Sequence, residues 1–324
     1  MKLQILVPQF HETDEVVKPL LDSIALQQSV DFNDIGVIIV NDGSDVFLSE
    51  ELLSSYPFKI DYYKEEHRGV SGTRNSCFEH STAEYVMFCD ADDMFFNACG
   101  LYMIIREINT GVFDSLISMF VEESRHPVTK EVVYVNHEMD ATFVHGKVHR
   151  RQYLIDKNIR WNPDLTIHED SFFNIQCQNL SQNVKYCPAA FYLWKWRDDS
   201  VCRHDPKYIL KTYRNMIDSN DALIGEFMKR GVMDKVAFYV AFMIFDAYYT
   251  MNKPEWINQK NKLYRTETEK RFSKYYKKYK EIWESVPSPD KMQISNGIRQ
   301  RSVNEGMQME TITIDKWLKK VEKL

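Results

Sequence analysis

The sequence feature that most constrains the fold is an apolar run that ends abruptly in carboxylates. Residues 85–89 are mostly apolar, and they lead directly into Asp90, Asp92 and Asp93. A short run of this kind predicts a strand that is buried on both faces, as in a parallel sheet. Crowded ionised carboxylates repel one another unless a cation lies between them. A divalent cation, Mg²⁺ or Mn²⁺, is the usual solution, and an Asp-rich turn or helix start is the alternative.

Length, charge and cysteine content limit the class of protein. The chain has 324 residues, enough for one large domain and an appendage, and its net charge of −6 gives no overall reason to expect nucleic acid or an anionic membrane as partner. No signal-peptide pattern is present, and the longest apolar run, residues 236–245, is too short to span a bilayer. The six cysteines show no metal-type spacing, which favours reduced thiols. Together these features predict a cytoplasmic protein, with peripheral contact at the inner membrane face left open.

Strand-like and helix-like patterns alternate through the first half of the chain. Apolar runs at residues 3–7, 36–40 and 59–64 predict three further strands, and helical spacing of apolar residues follows the first of them. Repeated units of this length predict an α/β fold with a mostly parallel sheet and helices on both faces. In such sheets, ligands bind outside the carboxyl ends of the strands. The polar segments that follow three of the strands, at residues 8–12, 41–45 and 90–93, are therefore expected to meet there.

Five ordered segments carry a resemblance to a known family. They are LQILVPQFHE (3–12), VNDGSD (40–45), GVSGTRNSC (69–77), FCDADD (88–93) and IHEDSF (167–172). Through them, residues 1–205 resemble a family 2 glycosyltransferase with the GT-A fold, a Rossmann-like mixed sheet with flanking helices. The resemblance implies an inverting enzyme that takes a sugar from a nucleotide donor, usually a UDP-sugar, with Mn²⁺ or Mg²⁺ as cofactor.

The resemblance assigns roles on the donor side. Asp42 corresponds to the aspartate at the nucleotide base, where a carboxylate accepts the imide N–H of uracil. Arg74 corresponds to an arginine that contacts base or phosphate. Asp92 is the candidate for direct metal ligation, Asp90 lies at the ribose or beside the metal, and Asp93 is either a supporting residue or a helix cap. The other predicted nucleotide-sugar contacts are Pro8, Phe10 and Glu12 at the base, and Arg197 and Arg203 at the diphosphate.

The resemblance also assigns roles on the acceptor side. An inverting transfer needs a base that takes the proton of the acceptor hydroxyl as its oxygen attacks the anomeric carbon. Asp170 is implied to be this base and Glu169 to orient the acceptor; the alternative is that both stabilise a helix N-terminus. His204 corresponds to a late histidine that many GT-A enzymes place on the metal or the diphosphate. The basic cluster at residues 147–151 resembles the family's segment before the acceptor-side helix, and a solvated helix start is the alternative.

From about residue 206 the pattern changes to long helices. A helical region, residues 206–324, is therefore predicted to bind the acceptor or to mediate homo-oligomer formation. Within it, residues 258–281 hold nine Lys or Arg against three Glu, interleaved with aromatic side chains. Such a helix binds a membrane surface or an anionic polymer such as teichoic acid or nucleic acid, or it is a solvated helix whose aromatics pack inward.

The predicted function is metal-dependent, inverting transfer of a sugar to a hydroxyl acceptor. A cell-surface polysaccharide, a teichoic acid or a lipid-linked glycan is the expected acceptor. One alternative is a phage-type enzyme that acts on hydroxymethylated bases in DNA. Another is a non-catalytic module that binds nucleotide sugars, although such a module has no need for the base that Glu169-Asp170 would supply.

Overall fold

The computed structural model describes residues 1–126, 128–140, 142–197, 208–253, 256, 261–304 and 312–324. The chain divides into two compact units, Met1–Ser200 and Val201–Leu324. Among the described residues, no helix combines the length and the apolar character that crossing a bilayer requires.

Strands and helices alternate in the first unit up to residue 88, as predicted from the apolar patterns, whereas three strands follow one another between residues 115 and 150. The strands are β1 (Leu3–Gln9), β2 (Ile35–Asp42), β3 (Lys59–Glu65), β4 (Tyr85–Phe88), β5 (Met94–Phe95), β6 (Ser115–Arg125), β7 (Val132–His137), β8 (Lys147–Arg150) and β9 (Val184–Trp194). The helices are α1 (Asp14–Ala25), α2 (Glu50–Ser54), α3 (Gly69–His80), α4 (Gly100–Thr110), α5 (Arg151–Asp156) and α6 (Glu169–Asn179), with a short 3₁₀ helix at Phe32–Asp34.

All of these strands belong to one mixed sheet. Its order is β3-β2-β1-β4-β8-β6-β9-β5, and β7 pairs with β6 off this path. The first four strands in that order run parallel to one another, while β8 runs antiparallel to both β4 and β6. The predicted α/β sheet with flanking helices is therefore confirmed.

Apolar side chains cover both faces of the parallel strands. Because side chains alternate along a strand, Leu3 and Ile5 of β1 pack with α1 and α4 on one face, while Leu6 packs with Phe78 of α3 on the other. Each fully buried side chain of this size contributes about 1.5–3 kcal/mol. The two cores fix the carboxyl ends of β1, β2 and β4 at one edge of the sheet.

The second unit is helical, as predicted. Its described helices are α7 (Tyr208–Lys229), α8 (Met233–Met251), α9 (Lys262–Ser285), α10 (Ser288–Asn304) and α11 (Ile314–Val321). In α9 the aromatic side chains of Phe272, Tyr275, Tyr276 and Tyr279 are buried. Burial of these four rings agrees with the alternative in which the aromatics pack inward, while Tyr264 of the same helix is only half-buried.

Candidate active site

A cavity of about 330 Å³ lies where β1, β2 and β4 end. The structure brings seven of the residues singled out in the sequence to its walls, and these are Pro8, Phe10, Glu12, Asp42, Arg74, Asp90 and Asp92. Arg197 reaches two of these wall residues through ion pairs. Arg203 and His204 lie outside the described residues. The three polar segments after β1, β2 and β4 thus meet in one cavity.

Asp42 is held at the end of β2 by the loop that follows β3. One of its carboxylate oxygens accepts a hydrogen bond of 2.6 Å from the Arg68 backbone N–H, and the other lies 3.0 Å from Nδ1 of His67. Gly43 comes next, at a positive φ of 73°, and a Cβ atom there would lie 2.5 Å from the His67 nitrogen. Only glycine combines that φ with so close an approach. His67 was not predicted from the sequence, because a histidine in a polar loop carries no pattern of its own.

Phe10 forms an exposed aromatic wall of the cavity. Its side chain is 40% exposed, and its ring centroid lies 4.8 Å from that of His67. The backbone N–H of Phe10 donates a 2.7 Å hydrogen bond to the Glu12 carboxylate, which fixes the turn after β1. A partly exposed aromatic ring in a cavity wall suits a flat apolar contact with a heterocyclic base.

Arg74 connects the cavity to the start of α6. Its guanidinium is buried, donates to Asp90 at 2.7 Å and to Asp170 at 2.8 Å, and lies 3.2 Å from a Glu169 oxygen. The same group stacks 4.4 Å above the ring of Trp161. Burial disfavours the charge, but the three carboxylates outweigh it and raise the pKa of Arg74. The sequence placed Arg74 at the nucleotide alone; the structure also places it against both acceptor-side candidates.

The residue before α6 has an unusual backbone conformation. His168 has φ 63° and ψ 18°, in the left-handed region, which costs a non-glycine residue about 1–3 kcal/mol. Glu169 and Asp170 follow in the first turn of α6. Burial raises the pKa of Asp170 against the opposing effect of Arg74, and burial together with Asp170 raises the pKa of Glu169 to about 7. Both carboxyl groups therefore have raised pKa values, Glu169 because of burial and the neighbouring Asp170, and Asp170 because of burial.

The three aspartates after β4 have different surroundings. Asp93 is buried, and its two oxygens accept hydrogen bonds from the Tyr192 hydroxyl at 2.6 Å and from the Lys195 backbone N–H at 2.9 Å. Asp92 faces the cavity, with a carboxylate oxygen 3.1 Å from the Arg197 guanidinium. Asp93 therefore binds the end of β9 and the residue that follows it. The Asp90 and Asp92 carboxylates line the cavity.

The chemistry of the cavity fits a hard divalent cation. Within the described part of the chain, Asp90, Asp93 and His145 bring possible ligand atoms within 4.8 Å of one another. The His145 ring is buried against aromatic rings, 5.0 Å from that of Trp194 by centroid distance, and both Asp93 oxygens already accept hydrogen bonds. Asp90 and Asp92 are thus the carboxylates that line the cavity, and carboxylate oxygens are what Mg²⁺ and Mn²⁺ prefer.

The first residues of the basic cluster at residues 147–151 lie in a buried strand and not at a solvated helix start. Lys147 and His149 are both 2% exposed, and they lie in β8, which pairs with β4 and β6. Helix α5 begins only at Arg151. The alternative of a solvated helix start was therefore wrong for Lys147 and His149. The sequence did not show their burial, because β4 and β6, which flank β8, are distant from it along the chain.

Comparison with known proteins identifies the family. A model described as "Glycosyl transferase family 2" matches residues 4–167, about half of the chain. The chain belongs to glycosyl transferase family 2. This family 2 chain is 23% identical over 220 residues to the uncharacterized glycosyltransferase EpsJ of Bacillus subtilis, a match that covers 61% of the chain and 62% of EpsJ.

A second relative and a solved structure extend the comparison. The chain is 36% identical over 96 residues to a teichoic acid poly(glycerol phosphate) polymerase of Staphylococcus epidermidis, covering 28% of the chain and 13% of the polymerase. It thus spans less than two thirds of the length of both curated relatives. The crystal structure of S. aureus TarS with UDP-GlcNAc matches with a TM-score of 0.65 at 15% identity, over 96% of this chain and 93% of that one. The predicted GT-A fold is therefore confirmed.

Proposed function

We propose that this protein transfers a sugar from a UDP-sugar to a hydroxyl group of an anionic, phosphate-containing polymer of the teichoic acid type, with inversion at the anomeric carbon. The observation that carries the proposal is the Arg74 network. The Arg74 guanidinium donates a hydrogen bond of 2.7 Å to Asp90 in the cavity wall. The same guanidinium donates a hydrogen bond of 2.8 Å to Asp170. A base for the acceptor is thereby fixed beside a cavity suited to the donor.

The donor side uses the cavity at the ends of β1 and β2. Asp42 accepts the imide N–H of uracil, and Phe10 covers one face of the base. Support comes from the fixed position of Asp42 between Arg68 and His67, and from the fold shared with TarS, whose structure was solved with UDP-GlcNAc. Arg197 pairs with Asp92 and Glu12 of the cavity wall, which supports its proposed role as a contact of the diphosphate.

Asp170 acts as the general base. It takes the proton of the acceptor hydroxyl as that oxygen bonds to the anomeric carbon and the bond to the nucleoside diphosphate breaks. The diphosphate leaves as an anion and needs no separate acid. Asp92, with Asp90, would hold Mn²⁺ or Mg²⁺, which supplies positive charge to the leaving diphosphate. Glu169 shares the Arg74 guanidinium and orients the acceptor.

The acceptor proposal rests on one face of α9. Lys270, Lys274 and Lys277 are exposed and follow the spacing i, i+4, i+7, so they form a single stripe. None of the three pairs with an acidic side chain in the described part of the chain. The curated relatives include a poly(glycerol phosphate) polymerase and a minor teichoic acid biosynthesis protein. A polymer of phosphodiesters complements such a stripe.

A donor and acceptor panel tests the function. The full chain is incubated with UDP-sugars, Mn²⁺ and either poly(glycerol phosphate) or duplex DNA with hydroxymethylated bases, and UDP release and labelled product are measured. Transfer from a UDP-sugar to the polymer supports the proposal. Transfer to DNA alone would favour the phage-type alternative, and UDP binding without any turnover would favour a non-catalytic module.

Asp92→Asn is expected to lower metal-stimulated transfer by about 100-fold or more. A divalent ion contributes several kcal/mol to such a reaction, and each ~1.4 kcal/mol is worth a factor of ten. Transfer is measured as a function of Mn²⁺ concentration after treatment with a chelator. Asp45→Asn is the matched control, because the same change of charge occurs there on a side chain that is 95% exposed. Equal turnover in Asp92→Asn and wild type would remove Asp92 from the metal site.

The triple variant Lys270→Gln, Lys274→Gln, Lys277→Gln is expected to raise the KM for the polymer about tenfold at low salt. Three charges that face an anionic chain are lost, and the effect shrinks as salt screens them. The kcat is expected to stay unchanged, because the stripe only recruits the acceptor. KM and kcat are measured at two ionic strengths.

The control removes the same number of charges from the same helix. Arg271, Lys278 and Lys280 pair with Asp218, Asp221 and Glu322 at 3.0, 2.7 and 2.7 Å. Replacing these three by Gln should change the KM for the polymer much less, since their charges are already neutralised. An equal rise in KM for both triple variants would contradict a role for this particular stripe.

A further inference from the structure

Strand β7 is an exposed edge strand of the sheet. It pairs with β6 alone, and no strand in the described part of the chain pairs with its other side. Val132, Tyr134 and Val135 of this strand are exposed, Tyr134 at 59%. Phe96, another exposed aromatic residue, extends the apolar surface around Tyr134, with a distance of 6.4 Å between the two ring centroids. An uncovered edge of this kind is a template for pairing with another strand.

The two terminal strands of the sheet are protected in ways that β7 is not. The sheet ends at β3, which carries four charged residues, and at β5, which is only two residues long. Charged side chains and short length are common means by which proteins prevent edge-to-edge association. In contrast, β7 has the sequence VVYVNH, without a lysine, a carboxylate or a proline. We therefore expect another strand to cover its edge.

The backbone groups at the outer edge of β7 are those of Val132, Tyr134 and Asn136. Where the hairpin begins, the His126 N–H donates a 2.9 Å hydrogen bond to the Glu131 carbonyl, and β7 continues from there in antiparallel register with β6. In an antiparallel pair, residues that bond to the neighbouring strand alternate with residues whose N–H and C=O groups face away from it. The odd-numbered residues therefore bond to β6, and the even-numbered ones are left for a further strand.

We propose that the outer edge of β7 pairs with β7 of a second copy of this chain, antiparallel about a two-fold axis at Tyr134. Only this register uses all three outward-facing residues of both strands, because it places Tyr134 opposite itself and Val132 opposite Asn136. The same register brings Lys130 of each copy opposite Glu138 of the other, and both side chains are exposed. Opposite charges at facing positions stabilise a strand pair. This self-complementarity favours a second copy over an unrelated strand, and the resulting two-fold contact is closed.

Sedimentation of the full chain over a wide range of concentrations tests the dimer. Tyr134→Lys, which places like charges opposite each other on the axis, should raise the dissociation constant about tenfold or more. Lys130→Glu should weaken the dimer as well, and the double variant Lys130→Glu, Glu138→Lys should restore it. Lys59→Glu, at an exposed lysine of β3, is the control and should change nothing. A monomer at every concentration, or a double variant no tighter than Lys130→Glu, would overturn the proposal.

Oxidative cross-linking measures the register directly. Facing residues of a hydrogen-bonded antiparallel pair have Cα atoms about 5.5 Å apart, within the range of a disulfide. Tyr134→Cys should therefore give a cross-linked dimer, whereas Val132→Cys should not, because the two copies of residue 132 would lie ~14 Å apart along the strands. The wild-type chain, with its exposed Cys99, shows the background. Equal cross-linking in both variants would contradict the two-fold axis at Tyr134. Neither measurement needs turnover, so both are independent of the proposed transferase activity.

Discussion

Asp170→Asn is expected to reduce sugar transfer by about 10²–10⁴-fold while UDP-sugar binding stays intact. An amide has the size of the carboxylate and still contacts Arg74, but it takes no proton from the acceptor hydroxyl. Asp170 also lies outside the cavity wall that would receive the nucleotide. Turnover and donor affinity are measured separately, the latter by calorimetry with UDP.

Asp164→Asn is the control for this change. Asp164 is exposed in the loop before α6, so the same loss of charge occurs near the same helix without reaching the network. Its transfer rate should match that of the wild type. A parallel loss of binding and transfer in Asp170→Asn would mean that the carboxylate maintains the structure of the site and is not the base.

Arg74→Met is expected to abolish transfer and to lower the free energy of unfolding by about 3–5 kcal/mol. The substitution leaves Asp90, Glu169 and Asp170 without the guanidinium that binds all three. Arg74→Lys should recover part of the stability only, because an ammonium does not reproduce the planar fork that spans three partners. Thermal unfolding and turnover are measured for both variants.

The stability loss in Arg74→Met should also depend on pH. Without the arginine, the pKa values of the buried carboxylates in the folded state rise above their unfolded values. The folded state then binds more protons than the unfolded state, so stability falls as pH rises through those pKa values. The variant should therefore be closest to wild type at acidic pH. Arg106→Met, at an exposed arginine paired with Glu107, is the control and should show no such dependence.

The donor side of the proposed site was predictable from the sequence, because its residues directly follow strands that the sequence identifies. Buried apolar runs define β1, β2 and β4, and parallel strands place the residues that follow them at one edge. The segments that contain Asp42 and Asp92 were found in this way, the roles of the two residues came from the resemblance, and both residues line the cavity.

The acceptor side was predictable only by resemblance, because its contacts join distant parts of the chain. Arg74 lies 16 residues from Asp90 and 96 residues from Asp170, and no local pattern relates them. Lys147 illustrates the same limit. A lysine within a basic cluster is typical of a solvated surface, and only the pairing of β8 between β4 and β6 shows that it is buried.

Gly43 limits where the proposed base site can be redesigned. Any side chain added there would push on the His67 backbone, and the same loop holds Asp42 through Arg68. A substitution at Gly43 would therefore displace the loop that holds Asp42, so this part of the proposed base site should not tolerate change. Phe10 meets this loop through the exposed side chain of His67 and is itself 40% exposed, so changes at Phe10 should disturb Asp42 less than changes at Gly43 do.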